Sequence, residues 1–121
     1  MIMPDVADYR VISDGGVTIQ TGGDIDHTFT FDLGTAVKHN QSQVLQWFYV
    51  SSSNANNLSY RISINGTAVR TINVTGNFFS TIHEICANVT HNGSNECEIK
   101  IVGGSGSVTI SDIVLFVQVG V

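Results

Sequence analysis

Apolar and polar residues alternate along most of this chain, and this period of two constrains its fold more than any other sequence feature. The segment HTFTFDL (27–33) places Phe29, Phe31 and Leu33 on one side and polar residues on the other. Successive side chains of a strand point to opposite faces of a sheet, so this alternation is typical of a strand with one buried face. No segment of useful length has the i, i+3, i+4, i+7 apolar spacing of an amphipathic helix. We therefore predict an all-β protein.

The alternating runs are short and are separated by turn-forming residues, as in TGGD, SSSNAN, HNGSN and GGSG. About nine short strands spaced roughly every 8–12 residues predict an all-β sandwich or barrel. We expect one domain over residues 1–121. Asn65-Gly66 is the clearest turn, because both residue types accept the positive φ of a type I′ hairpin. The predicted strands are 7–12, 17–20, 27–33, 43–50, 57–64, 67–74, 78–89, 97–102 and 107–119.

Two of these strands, 43–50 and 107–119, carry apolar side chains on both faces. Strict alternation in the first would place Trp47 and Tyr49 on one face and Phe48 on the other. A hydrophobic core covers only one face of a strand, and large exposed apolar patches are rare on soluble monomers. We therefore expect the second face to be covered by another subunit, by a ligand or by a loop of the same chain.

The apolar pattern of the last strand changes phase part-way along. Val108 and Ile110 have one parity, whereas Leu115 and Val117 have the other. Ser111-Asp112 stands where the phase changes, which predicts a β-bulge at this point.

The charge of the chain and the length of its apolar runs argue against two classes of partner. The formal net charge is −5, and only 12% of the residues are charged. Binding to a polyanion requires clustered Lys and Arg side chains, but the basic residues of this chain are scattered. No apolar run approaches the ~20 residues of a membrane span. We therefore expect neither nucleic acid nor a membrane as partner; the basic residues are Arg10, Lys38, Arg61, Arg70 and Lys100.

The order of these signatures resembles the small β-jelly-roll modules that include many carbohydrate-binding modules and lectins. The likeness rests on HTFTFDLG, VLQWFYV, NNLSYRISING and VTISDIVLFVQ, and it spans most of the chain. Jelly rolls also form viral coat, tail-fibre and trimeric signalling proteins. The resemblance implies an antiparallel β-sandwich of jelly-roll type with about eight or nine strands. It also implies an extracellular or particle-surface binding protein that is often oligomeric and usually not an enzyme. The N-terminal segment MIMPDVADYR lacks the basic start and apolar stretch of a signal peptide, so the export route stays open.

We expect a non-catalytic, lectin-like module that binds carbohydrate and self-associates through strands 43–50 and 107–119. The alternative is a structural assembly subunit of a virion, tail fibre or cell surface. An aromatic face formed by Trp47 and Tyr49 would stack on a sugar ring, and Asp26, His27 and Asn57 are candidates for the hydrogen bonds to its hydroxyl groups. Trp47 has two other interpretations, as a core residue or as part of a subunit contact.

Asp24 and Asp26 follow a glycine turn in GGDIDH (22–27) and are a candidate calcium site. Calcium takes about six to eight oxygen ligands, and two carboxylates could supply some of them. Jelly-roll modules of the kind resembled here often carry such an ion. Ordinary turn chemistry is the other interpretation, and we expect no other cofactor.

Cys86 and Cys97 flank ANVTHNGSNE, which we interpret as a hairpin tip. With Asn92-Gly93 as a two-residue turn, the two sulfurs would lie diagonally across the strands, which is poor geometry for a disulfide. A shift of register would place them opposite each other. A disulfide and two free thiols are both compatible with the sequence.

Overall fold

A computed structural model describes residues 6–120, so the start of MIMPDVADYR and residue 121 lie outside the described residues. The prediction of an all-β antiparallel protein is confirmed. No helix in the described range is long and apolar enough to cross a membrane. The strands are β1 (Val6–Gln20), β2 (Asp26–Asp32), β3 (Gln43–Ile64), β4 (Thr67–Cys86), β5 (Ser94–Ser105) and β6 (Ser107–Val119).

The predicted count of eight or nine strands is wrong, because residues 6–120 form six. Three pairs of predicted strands are each continuous in the structure. The segments between them, such as SSSNAN, bend a strand and do not end it, since an irregularity of pairing lets the backbone turn while its neighbours continue to pair. The merged pairs are 7–12 with 17–20 in β1, 43–50 with 57–64 in β3, and 67–74 with 78–89 in β4.

Strand β3 connects the two halves of the sheet. The strands pair in the order β1-β6-β3-β5-β2, and β4 pairs with the other side of β3. The N-terminal half of β3 pairs with β6, and its C-terminal half pairs with β5. Between Trp47 and Leu58, three irregularities each place two residues of β3 opposite one residue of β4. Extra residues of this kind bend a strand and increase its twist, so β3 turns from the first half of the sheet into the second.

Both halves of the sheet contribute to one hydrophobic core. β1 contacts β2 and β5 as well as its partner β6, which brings the two halves together. Trp47 in the first half is fully buried and donates a hydrogen bond from Nε1 to the hydroxyl oxygen of Tyr60 in the second half, at 2.9 Å. Burial raises the pKa of Tyr60 to about 12. The hydroxyl is therefore neutral at physiological pH and satisfies the buried indole N–H.

The predicted Asn65-Gly66 hairpin and the phase change of β6 are confirmed, whereas the bulge predicted at Ser111-Asp112 is on the other strand of the pair. Asn65 and Gly66 have φ values of 50° and 82°, and their neighbours in β3 and β4 pair directly across them, as in a type I′ hairpin. The buried positions of β6 change parity between Ile110 and Ile113, both 1% exposed. The bulge at this place lies on the partner strand, since Gly15 and Gly16 of β1 stand opposite the single residue Ser111 of β6.

The hairpin predicted around HNGSN is wrong, because β4 and β5 pair with β3 and not with each other. The segment instead carries the chain from the first half of the sheet to the second. Cys86 and Cys97 are therefore not on paired strands, and both thiols are free. Burial is the main cause that raises their pKa values, to about 11 for Cys86 and about 12 for Cys97.

The GGSG segment also connects strands that pair with β3 and not with each other, and it passes directly against the bend of β3. At Gly104, where φ is +69°, a Cβ atom would overlap the carbonyl oxygen of Asn57. At Gly106 a Cβ would lie 2.5 Å from the carbonyl oxygen of Asn54. The Oδ1 atom of Asn54 in turn accepts a hydrogen bond from the Ser107 N–H at 2.9 Å. Glycine at these positions lets the crossing chain lie close to the bend.

We predict that Gly104→Ala destabilises the protein more than Gly22→Ala does. Both positions have positive φ, but a Cβ at Gly22 would meet open space. Gly22→Ala should lower the free energy of unfolding by about 1 kcal/mol, the usual penalty for an L-residue in the left-handed region. Gly104→Ala should lose roughly 2 kcal/mol more because of the overlap with Asn57. Urea denaturation of both variants measures the difference, and equal losses would contradict the close approach.

Candidate functional site

The solvent-facing side of the first half of the sheet carries an apolar stripe across four strands. We call this side the outer face; it consists of β1, β6, the N-terminal half of β3 and the C-terminal half of β4. Tyr9 pairs with Phe116, Phe116 with Val44, and Val44 with Ile85, so the four side chains lie in one row. Tyr9 is 60% exposed and Ile85 is 66% exposed. No loop of the described chain covers this row. A second subunit or a ligand stays a prediction for what covers it.

A groove with a volume of about 410 Å³ lies next to the apolar stripe on the outer face. Its lining combines aliphatic and aromatic side chains with two hydroxyl groups and two carboxylates. Ligand-binding pockets in proteins typically have volumes of about 300–1,000 Å³ and mainly apolar walls with a few polar groups. The lining residues of this outer groove are Val11, Ser13, Asp14, Phe48, Tyr49, Asp112 and Val114.

Tyr49 reaches the outer groove because β3 has a bulge at this point. Phe48 and Tyr49 together stand opposite the single residue Thr81 of β4. The Tyr49 N–H cannot join the regular ladder and donates instead to the hydroxyl oxygen of Thr81 at 3.4 Å. The additional residue changes the parity of the strand, so Val50 follows Trp47 into the core and Tyr49 points to solvent.

The backbone of Tyr49 lies in the left-handed region, with φ of 53°. Within residues 6–120 the other non-glycine residues with positive φ are Asn57, Asn65 and Asn88. Asn tolerates this conformation, whereas a bulky aromatic residue is an outlier there. Asn57 occupies a second bulge of the same design, since its N–H donates to the hydroxyl oxygen of Thr75 at 3.0 Å. Strain at an aromatic residue beside a groove is characteristic of a functional position.

Aromatic side chains extend from the outer groove onto β4. The rings of Tyr49 and Phe79 are stacked, with centroids 5.8 Å apart and an interplanar angle of 29°. The Phe48 ring lies 6.3 Å from that of Tyr49. Tyr49 is 52% exposed and Phe79 is 70% exposed. The contacts restrain the Tyr49 ring while much of it is still accessible to a ligand.

Of the predicted ligand-binding residues, Tyr49 is the one that lines the outer groove. Trp47 is buried, so the shared face predicted for Trp47 and Tyr49 is wrong, and the core interpretation of Trp47 holds. Asp26 and His27 are exposed at the start of β2, an edge strand of the second half. Asn57 lies in the bend of β3, where its Oδ1 accepts a hydrogen bond from the Asn73 side chain at 3.1 Å. The fold thus does not gather these residues into one site.

Asp24 and Asp26, the predicted calcium ligands, are both exposed. The backbone oxygen of Asp24 accepts a hydrogen bond from the Gln20 N–H at 2.9 Å, which is turn chemistry. Residues 6–120 contain no group of three or more His, Cys, Asp or Glu side chains arranged to hold a metal ion. Two carboxylates alone provide fewer oxygen atoms than calcium takes. Calcium binding at this turn stays a prediction.

Residues from β1 complete the outer groove, and the sequence did not identify them. Asp14 pairs with Asp112 across the β1–β6 ladder, and Val11 pairs with Val114. The pairing is irregular between Val11 and Ser13, which changes the direction in which the following side chains point. The phase change at Asp112 was the available signal in the sequence. Nothing local indicated which distant strand would lie beside it.

No family model matches the chain, and no curated protein matches it in sequence. Solved structures do match it in fold. The dimeric latent PorU from Porphyromonas gingivalis matches with a TM-score of 0.80 and 9% identity, over 99% of this chain and 13% of PorU. The beta-porphyranase BpGH86A of glycoside hydrolase family 86 from Bacteroides plebeius matches with a TM-score of 0.64 and 19% identity, over 97% of this chain and 21% of the enzyme. The chain therefore spans only a small part of either protein.

The xylan-binding module CBM15 is similar along nearly its whole length. The TM-score is 0.58 and the identity 11%, over 94% of this chain and 97% of the module. The resemblance to carbohydrate-binding modules with a jelly-roll-like β fold is thus confirmed. At this level of identity the likeness concerns the fold alone.

We predict that glycine gives the more stable variant at position 49 and that alanine gives the more stable variant at position 79. Tyr49→Gly should be more stable than Tyr49→Ala by about 1 kcal/mol, because glycine accepts the positive φ without strain. Phe79 is exposed and does not have positive φ. There, Phe79→Ala should be more stable than Phe79→Gly by roughly 0.5–1 kcal/mol, the usual difference within a strand. Chemical denaturation of the four variants measures both differences, and the same order at both positions would mean that Tyr49 is not strained.

Proposed function

We propose that this protein is a non-catalytic carbohydrate-binding module that holds a saccharide in the outer groove. The observation that supports this function is the combination of the Tyr49 ring with an apolar floor and with the carboxylates of Asp14 and Asp112. A sugar ring has apolar C–H faces that pack on aromatic rings, and its hydroxyl groups donate hydrogen bonds to carboxylates. The groove offers partners for both kinds of surface.

The groups that would contact the sugar are held in place before it binds. The stack with Phe79 and the bulge at Tyr49 restrain the aromatic ring. The Gly15 N–H donates to Oδ1 of Asp112 at 3.2 Å and orients that carboxylate. Preorganisation of this kind reduces the entropy lost on binding and so favours affinity.

The similarity to a xylan-binding module supports the proposed ligand class, and it also supports a jelly-roll β-sandwich as the arrangement of the six strands. Xylan binding is a property of that module; the saccharide bound here is the subject of the tests below. We further propose an extracellular or particle-surface location, where polysaccharide ligands are accessible.

A glycan array followed by isothermal titration calorimetry with the strongest saccharide ligand tests the proposal. Tyr49→Ala should weaken binding about tenfold or more, equivalent to roughly 1.4 kcal/mol. Tyr49→Phe keeps the ring and should retain most of the affinity. Tyr9→Ala is the matched control, because Tyr9 is an exposed tyrosine on the same outer face but does not line the groove. Circular dichroism verifies that each variant is folded.

Two results would contradict the proposal. The wild-type protein could bind no saccharide on a broad array, or Tyr49→Ala and Tyr9→Ala could have the same affinity as wild type. Release of new reducing ends from a bound polysaccharide would contradict the non-catalytic part alone. That assay uses the wild-type protein and the same polysaccharide.

The apolar stripe favours a second candidate function, which is self-association or assembly through the outer face. If copies associate there, light scattering after size-exclusion chromatography should give a dimer or larger species for the wild-type protein. Ile85→Ser should dissociate it, whereas Val102→Ser should not, because Val102 is an exposed apolar residue of β5 outside the stripe. A monomer at all accessible protein concentrations would exclude this candidate and leave the saccharide function unaffected.

A further inference from the structure

The charges in the outer groove are of one sign. Of its seven lining residues, Asp14 and Asp112 are the ionisable pair that carries charge at neutral pH, and they stand opposite each other on β1 and β6. Oδ1 of Asp112 accepts the bond from Gly15, and the carboxylate of Asp14 has no hydrogen-bond or ion-pair partner within residues 6–120. Two carboxylates in direct opposition repel each other and any further anion.

None of the five basic side chains lines the groove to balance this charge. Two of them are already in ion pairs, Arg10 with Asp8 and Arg70 with Glu84. Arg61 and Lys100 stand opposite each other on the neighbouring strands β3 and β5, in the second half of the sheet. The fifth, Lys38, lies in the segment between β2 and β3.

The hydrogen-bonding groups of the groove also favour an uncharged ligand over an anionic one. Ionised carboxylates accept hydrogen bonds and cannot donate them, and the hydroxyl groups of Ser13 and Tyr49 can do either. Sugar hydroxyl groups donate readily to such acceptors in short, charge-assisted bonds. A sugar carboxylate or sulfate ester brings only further acceptors and negative charge, so it could be bonded by these two hydroxyl groups but would meet no cation in the lining to offset its desolvation.

We propose that the outer groove selects uncharged saccharides and rejects uronate-containing or sulfated ones, and that Asp14 and Asp112 are the residues that determine this specificity. The inference rests on the proposed saccharide function of the groove and names its ligand class. Coulombic repulsion between these carboxylates and an anionic ligand is strongest at short range and is weakened by salt. The preference should therefore be largest at low ionic strength.

The test uses pairs of polysaccharides that share a backbone and differ in charge. Suitable pairs are methyl-esterified and de-esterified homogalacturonan, xylan and glucuronoxylan, and unsulfated β-carrageenan and sulfated κ-carrageenan. For each backbone that binds, the uncharged member should bind about tenfold more tightly at low salt, which is the factor for roughly 1.4 kcal/mol. The ratio should fall as salt is added.

The variant Asp14→Asn with Asp112→Asn should abolish the preference. Affinity for the uncharged member should also fall, because the charge-assisted bonds to the sugar hydroxyl groups are lost, so the quantity compared is the ratio of affinities within each pair of polysaccharides. Glu96→Gln with Glu98→Gln is the matched control. It changes the net charge equally, but both glutamates line a separate pocket of about 180 Å³ on β5. This control should retain the preference of the wild-type protein.

The outcomes separate the specificity from the function on which it rests. Equal or tighter binding of the charged members overturns the specificity alone, as does a preference that survives in the Asp14→Asn, Asp112→Asn variant. Failure of all six polysaccharides to bind the folded wild-type protein overturns the saccharide function, and the specificity with it. Thermal melting of the double variant confirms its folding and should give a higher Tm, since the repulsion between the two carboxylates is removed.

Discussion

The bend in the middle of β3 is the constraint on which the rest of the structure depends. One strand of 22 residues pairs with β6 along its first half and with β5 along its second. A straight strand of that length would extend beyond any core that a chain of this size can form. Three additional residues, opposed by single residues of β4, turn β3 so that both halves bury side chains against each other. The Trp47–Tyr60 hydrogen bond joins the halves within the core.

The same bend generates the candidate binding site. A bulge changes the parity of side chains, so two aromatic residues separated by one position point to opposite faces of the sheet. Trp47 is enclosed in the core, and Tyr49 is directed to solvent beside the outer groove. The backbone strain at Tyr49 is maintained by the regular pairing of β3 with β4 on either side of the bulge. Stability of the sheet and exposure of the aromatic ring are therefore coupled.

The two halves of the sheet differ in the chemistry of their solvent-facing sides. The outer face of the first half is apolar and aromatic, with a pair of aspartates at one end. The second half places Thr28, Ser63 and Glu98 around a smaller polar pocket. The first of these surfaces offers a ligand a larger groove with more apolar area beside its hydrogen-bond acceptors, and this difference favours the outer groove as the binding site.

The sequence by itself determined the fold class, the Asn65-Gly66 hairpin and the phase change in β6, because each depends on residues close together in the chain. The scattered basic residues also predict that nucleic acid is not a partner. The tertiary structure decided the number of strands, the burial of Trp47 and the composition of the groove. Whether SSSNAN ends a strand or bends it depends on which neighbouring strands pair with β3 at this segment. Asp14 and Asp112 meet only through the register of two strands at opposite ends of the chain, and local periodicity carries no information about such long-range pairing.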